Sequence, residues 1–284
     1  MKSASAAEPI LVVGSSGKTG SRIVARLAGQ GIPVRYGSRQ AAPPFDWQQP
    51  ASWASALRGV RAVYLAYAPD LAVPGAVEAV RTVVDLASDA GVEHIVLLSG
   101  RGEEEAQAAE AIVRASGLPW TILRCGWFAQ NFSENVFLDG ILQGEVALPA
   151  GDVAEPFVDV EDIADVAVAA LTEPGHTGRL YELTGPRLLS FHDAVQEIAL
   201  ATGRSITFRS IPASAYRAAL EGAQAPADVI WLVEYLFTTV LDGRNAVIAS
   251  GVEDALHRPP RDFADYARRT AASGVWNAPV TVAR

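Results

Sequence analysis

Between Pro9 and Gln40 the chain reads PILVVGSSGKTGSRIVARLAGQGIPVRYGSRQ, and this stretch constrains the fold more than any other. It gives an apolar strand at Ile10–Val13, a glycine-rich turn, a helix with Ile23, Val24 and Leu27 on one face, and a second strand ending at Arg39. That order is a βαβ unit. Within the turn Gly14, Gly17 and Gly20 each have a physical role. Gly14 permits a tight exit from the strand, Gly17 lets backbone approach a pyrophosphate, and Gly20 lets the helix pack close to the sheet. Free N–H groups where the helix opens, over Ser16, Lys18 and Thr19, then face the phosphates.

The end of the second strand discriminates between dinucleotides. A site for NAD places Asp or Glu there to bind the ribose 2′-hydroxyl. This chain has Ser38 and Arg39 instead, with Lys18 inside the turn, so the site is cationic where a 2′-phosphate would lie. The expected cofactor is NADP(H); the competing reading is that Arg39 is a solvated surface charge.

Size and charge bound the remaining classes. The 284 residues are half hydrophobic, enough for a large core, and carry a formal net charge of −9 with a pI near 5.0. Such a surface disfavours nucleic acid and anionic membranes as partners. No apolar run reaches the ~20 residues that span a bilayer, and the first residues are not signal-like, so a cytoplasmic protein is expected. Cys125 is the single cysteine, which excludes an internal disulfide. The four histidines show no metal-ligand spacing, and no metal is expected.

Strands continue to alternate with helices as far as Trp120–Arg124, which predicts an α/β fold: a Rossmann-type doubly wound parallel sheet with a smaller α/β C-terminal lobe. The expected division is a dinucleotide-binding domain over 1–150, with 157–185 returning to it, and a substrate lobe over 186–284. Asp46, in Phe45-Asp46-Trp47, either approaches the adenine edge or caps a helix at 52–57. The strand at 62–68 delivers Ala66 and Tyr67 to the crevice where open sheets bind ligands. The strand from His94 delivers Ser99. Glu103-Glu104-Glu105 opens the next helix, where negative charge suits the dipole, and reads as a solvated cap. Ser99, Tyr67 and Glu110 are the candidate catalytic groups, while Gly126, Trp127 and Asn131 are candidate walls for the nicotinamide. Cys125 reads as structural. Asp159 or Glu161 would cap a helix at 163–171. Trp231, Tyr235 and Phe237 are either core or pocket lining.

Taken together, VVGSSGKTG, Ser38-Arg39, ILRCGWFAQNF at 122–132, FVDVEDIADVAVAAL at 157–171 and GRLYELTGP at 178–186 resemble the NmrA-like atypical short-chain dehydrogenase/reductases over nearly the whole chain. Within that group the chain looks most like the ergot-alkaloid dehydrogenases of festuclavine and agroclavine type. The resemblance implies an NADPH-dependent reductase with a small-molecule substrate held between the two lobes, and a homodimer is carried as the assembly. The family also contains regulators that bind NADP without catalysis, so the fold alone does not settle activity. One departure from ordinary short-chain dehydrogenases bears on chemistry. Their proton donor is a Tyr followed four residues later by Lys, but the only lysines here are Lys2 and Lys18, and neither follows a Tyr in that way. Reducing a neutral ketone needs a proton for oxygen, and a positioned acid contributes roughly 10²–10⁴ in rate. Reducing a cationic iminium needs hydride alone.

Overall fold

A computed structural model describes residues 8–134 and 137–277. In chain order the elements are β1 (Ile10–Val13), α1 (Lys18–Gly29), β2 (Val34–Gly37), α2 (Trp53–Leu57), β3 (Ala62–Leu65), α3 (Ala76–Asp89), β4 (His94–Gly100), α4 (Glu104–Ala115), β5 (Trp120–Cys125) and α5 (Leu138–Gln143). There follow β6 (Glu145–Leu148), β7 (Ala154–Glu155), α6 (Val160–Thr172), β8 (Arg179–Leu183), β9 (Leu189–Ser190), α7 (Phe191–Thr202) and β10 (Thr207–Ser210). Helices α8 (Ala213–Gly222), α9 (Ala227–Tyr235), α10 (Gly251–Leu256) and α11 (Phe263–Ser273) complete the chain. Among the described residues, no helix is long and apolar enough to cross a membrane.

The chain divides into two compact units. The first comprises the described residues up to Cys125, then Glu161–Leu183 and Ser250–Arg258. Its sheet has the order β2-β1-β3-β4-β5-β8, and every pair is parallel. Buried on both faces, β1 and β3 are continuous apolar runs, as parallel central strands require. The order reverses at β1, which makes the β1/β3 crevice the topological switch point where such sheets bind ligands. Helices α1 and α6 are joined by a charge ladder: Arg22 Nε donates to Glu161 at 2.6 Å, and Arg26 Nε donates to Asp165 at 2.7 Å.

The second unit comprises Gly126–Val160, Thr184–Ala249 and the described residues from Pro259. Its core is aromatic, with Phe132, Phe137, Phe157, Phe191, Phe237, Phe263, Tyr266 and Trp276 in one cluster. Two small two-stranded sheets, β10-β6 and β7-β9, edge it.

These bounds differ from the sequence expectation at both ends. Residues 129–150 supply Phe132, Phe137, Ile141 and Leu148 to the second unit's core, so the first segment stops at Cys125 rather than 150. Conversely, α10 belongs to the first unit. Gly251 packs flat against the Glu182 backbone, where a Cβ would overlap it, and Arg258 pairs with Asp162 at 2.7 Å. The helix begins at Val160, whose N–H donates to Gln130 Oε1 at 2.8 Å, while Asp159 accepts from Gln130 Nε2 at 2.7 Å. Glu161 lies inside the first turn and serves the arginine ladder.

Candidate functional site

The glycine turn has the shape of a pyrophosphate cradle. Gly14 leaves β1 with φ +75°, a conformation that glycine adopts without strain, and its N–H donates to Gly37 O at 2.9 Å. A Cβ on Gly20 would overlap the Gly14 carbonyl, so α1 can seat against the turn only with glycine there. The turn closes by Gly17 N–H donating to Gly14 O at 2.8 Å. Helix α1 then starts from an extended, uncapped Gly17 with no acidic residue in its first turn. Ser16 is exposed, and among the described residues its N–H has no partner. An uncapped, non-acidic helix start beside exposed N–H groups suits an anion, so the turn fits the diphosphate of a dinucleotide.

Gly37, unremarked in the sequence, is equally constrained: a Cβ there would lie 2.7 Å from Val12 O and Val13 Cα. It lets β2 end tight against β1, with Ser38 and Arg39 immediately beyond. Arg39 is exposed, and among the described residues its guanidinium has no partner, which suits both a 2′-phosphate contact and a solvated surface charge. Asp46 is half-buried; its Oδ1 accepts from Gln48 N–H at 3.0 Å, a turn bond rather than a helix cap. Its neighbour Trp47 packs on Tyr67, ring centroids 4.6 Å apart, and donates through Nε1 to Ala66 O at 3.1 Å. Thus Ala66, Tyr67 and the Asp46 turn are brought together beside Gly14, whose nearest contact for an added Cβ is Ala66.

The candidate catalytic groups separate into different roles. Burial raises the Tyr67 phenol above its ordinary pKa, which makes it a poorer acid than in water. Ser99 is 4% exposed and donates its hydroxyl proton to Glu110 Oε1 at 2.7 Å. Glu110 is in turn gripped by Arg124, Nε to Oε1 at 2.8 Å and Nη2 to Oε2 at 2.5 Å. Glu110 is thus engaged in a bidentate ion pair between α4 and β5, which fixes the orientation of the Ser99 hydroxyl. The chain continues to Glu182 on β8 through Arg124 Nη1 at 2.9 Å.

Gly126, Trp127 and Asn131 lie in the second unit. Trp127 is half-buried against its aromatic core, 5.0 Å from Phe237 and 5.2 Å from Phe191. Asn131 is half-buried, and its backbone closes the 129–132 turn. Phe237 is core, whereas Trp231 is 40% exposed and stacks on Tyr235 at 5.4 Å. Cys125 is buried, and burial raises its thiol pKa, as expected for a structural cysteine. The glutamate run departs from expectation: Glu103 is buried, not solvated.

A six-stranded parallel sheet with an uncapped glycine turn at its switch point defines a Rossmann-type dinucleotide fold, and with its oxidoreductase relatives this makes the chain an NAD(P)H-dependent oxidoreductase. The family model described as NAD(P)H-binding matches residues 14–174, and the chain belongs to that family, with the fold of the NmrA-like proteins. It is 32% identical to agroclavine dehydrogenase of Claviceps fusiformis, over 90% of this chain and 95% of the relative. Among solved structures, Citrobacter triphenylmethane reductase complexed with NADP(H) superposes with a TM-score of 0.73 at 20% identity, covering 93% of this chain and 99% of that one. NmrA, a negative transcriptional regulator solved with NADP, superposes with a TM-score of 0.71 at 17% identity, covering 94% and 98%.

Proposed function

We propose that this chain is an NADPH-dependent reductase that delivers hydride to a C=N bond, or to a conjugated C=C or C=O bond, of a small apolar acceptor. The observation that carries the reading is Arg39, exposed and without a partner among the described residues, two positions beyond Gly37 and beside a turn built for a diphosphate. Bound nicotinamide would supply the hydride. The chain's own contribution is positional. N–H groups over Ser16–Thr19 and the start of α1 hold the diphosphate, while Arg39 and Lys18 hold the 2′-phosphate. Ser99, locked by Glu110, offers an oxygen of fixed orientation at the end of β4. Orientation of this kind supplies several kcal/mol of a hydride-transfer barrier.

The absence of a Tyr–Lys acid favours acceptors that need little proton assistance, an iminium above all. Agroclavine dehydrogenase, a relative at 32% identity, is by its name a dehydrogenase, which supports hydride transfer. A regulator that reads NADP(H) without turnover shares the missing acid and the fold of NmrA. The two are separated by mixing the protein with NADPH and a panel of cyclic imines, enones and quinones while following the reduced nicotinamide absorbance. Its decay with one acceptor class supports the reductase and names the bond; tight NADPH binding with no decay across the panel favours the regulator.

A further inference from the structure

Hydride transfer to a neutral acceptor leaves a proton to be found, and the described catalytic candidates do not supply it. Tyr67 is a weakened acid, and the Ser99 hydroxyl is committed as hydrogen-bond donor to Glu110. The remaining acidic group at this edge of the sheet is Glu103. It stands at the N-cap position of α4 in extended conformation, yet makes no capping hydrogen bond. Its carboxyl turns back onto Gly100, filling the space that a side chain there would require. It is 6% exposed, and among the described residues its Oε2 has no partner. Asp70, from the loop that follows Tyr67, hydrogen-bonds to it. The second oxygen contact of Asp70 is Oδ1 accepting from Ala72 N–H at 2.8 Å.

Two carboxyls in contact, Glu103 buried and Asp70 half-buried, place like charges side by side if both ionise, which favours one shared proton. Glu103 is its holder. Burial first, and then the Asp70 carboxylate, push Glu103 up to about 9. Asp70 is raised as well, by burial. The other groups facing the pair do not offset this. Glu105 in the first turn of α4 adds repulsion, and the Cys125 thiol at the end of β5 is kept neutral by burial. Arg101 is occupied by Glu182 at 3.2 Å. The positive end of α4 favours the carboxylate, a smaller and more exposed effect.

The pair's position is as telling as its proton. Asp70 follows β3 and Glu103 follows β4, so the pair sits at the carboxyl edge of the sheet that also carries the glycine turn, and its carboxyl lies on the backbone one residue beyond Ser99. We propose that the Asp70–Glu103 pair is the proton donor of this reductase, an inference that rests on the reductase reading above. A bound nicotinamide would supply hydride, with its electron pair, to the acceptor carbon, and the proton on Glu103 would pass to the adjacent nitrogen or oxygen, directly or through one water. The acceptor gains both and NADPH becomes NADP⁺. The pair is left as two carboxylates and recovers its proton from solvent. This places a donor where the family's usual phenol and lysine are missing, and extends the reachable acceptors from iminium ions to neutral quinones.

The test begins without nucleotide. Infrared difference spectra of the full chain at neutral pH should contain a protonated-carboxyl stretch that E103Q removes, and that in wild type disappears as pH is raised through about 9. D70N, which removes the like charge but leaves the Glu103 carboxyl, should shift that titration to lower pH, and gives a second readout should E103Q fold poorly. Single-turnover rates are then compared for a neutral quinone and a cationic triphenylmethane dye, which needs hydride only. E103Q should lower the quinone-to-dye rate ratio at least about tenfold, within the 10²–10⁴ span of general-acid effects. Absence of the stretch in wild type, or an unchanged ratio in E103Q, overturns the proposal. A wild type that shows the stretch but reduces neither acceptor overturns the reductase reading and the donor role together, and leaves the shared proton as a structural feature.

Discussion

Replacing Arg39 by serine should weaken NADPH binding while leaving NADH binding nearly unchanged. The magnitude follows from the geometry. A guanidinium bonded to a phosphate makes a charge-assisted contact worth about 1.5–3 kcal/mol when shielded from water. Arg39 is exposed, which places its contribution towards the lower end, about 1–2 kcal/mol. At about 1.4 kcal/mol per tenfold, that is roughly a five- to thirtyfold rise in the Kd for NADPH. NADH lacks the 2′-phosphate and has nothing to lose at this position. Because the contact is exposed, the wild-type preference should also shrink as salt is raised from ~0.1 to ~1 M, which shortens the screening length from about 10 to about 3 Å. Isothermal titration of wild type and R39S with both nucleotides at the two salt concentrations measures all of this. Equal weakening of both nucleotides, or none of either, would refute the assignment of Arg39 to the 2′-phosphate.

Gly20→Ala drives a Cβ into the Gly14 carbonyl, so α1 must move off the turn; the expected result is loss of both nucleotides in the same titration and a destabilisation of about 1–3 kcal/mol by denaturant unfolding. Glu110→Gln keeps the shape but removes the charge facing Arg124, buried on the Glu110 side, with Glu182 still in place; about 2–4 kcal/mol of stability should be lost, and more of kcat than of KM, since Ser99 loses its anchor. The raised Glu103 pKa fixes the sign of a pH effect. Between its unfolded value near 4.5 and its folded value of about 9 the folded chain binds the extra proton, so this group makes stability fall as pH rises across that window. E103Q should therefore raise Tm at pH 8 by several degrees relative to wild type and change it little at pH 4, as thermal melts at the two pH values would show.

What could be read from the sequence is what local chain chemistry dictates. The glycine spacing, the apolar run before it and the cation after β2 each act within one βαβ unit, and the structure assembles them as the residues require. The Tyr–Lys deficit is equally local. What was hidden depends on partners distant in the chain. Glu103 reads as one of three solvated glutamates until Gly100 is found to leave room for its carboxyl and Asp70 to meet it. Glu110 looks available until Arg124 arrives from β5. Gln130 carries no helix-start signature, yet it caps α6 because the turn at 129–132 brings it to Val160. The unit boundary at Cys125 follows from phenylalanines at 132 and 137 finding Phe191 and Phe263, which no periodicity within 126–150 announces.

The central claim, that the chain moves hydride from NADPH to carbon, is tested most directly by isotope. The protein is incubated with NADPH deuterated at the transferred position of C4 and with a cyclic iminium acceptor, and the product is examined by mass spectrometry. The account predicts one deuterium on the former C=N carbon and stoichiometric NADP⁺. NADPH that binds at the turn and is recovered unoxidised with every acceptor tried would contradict it.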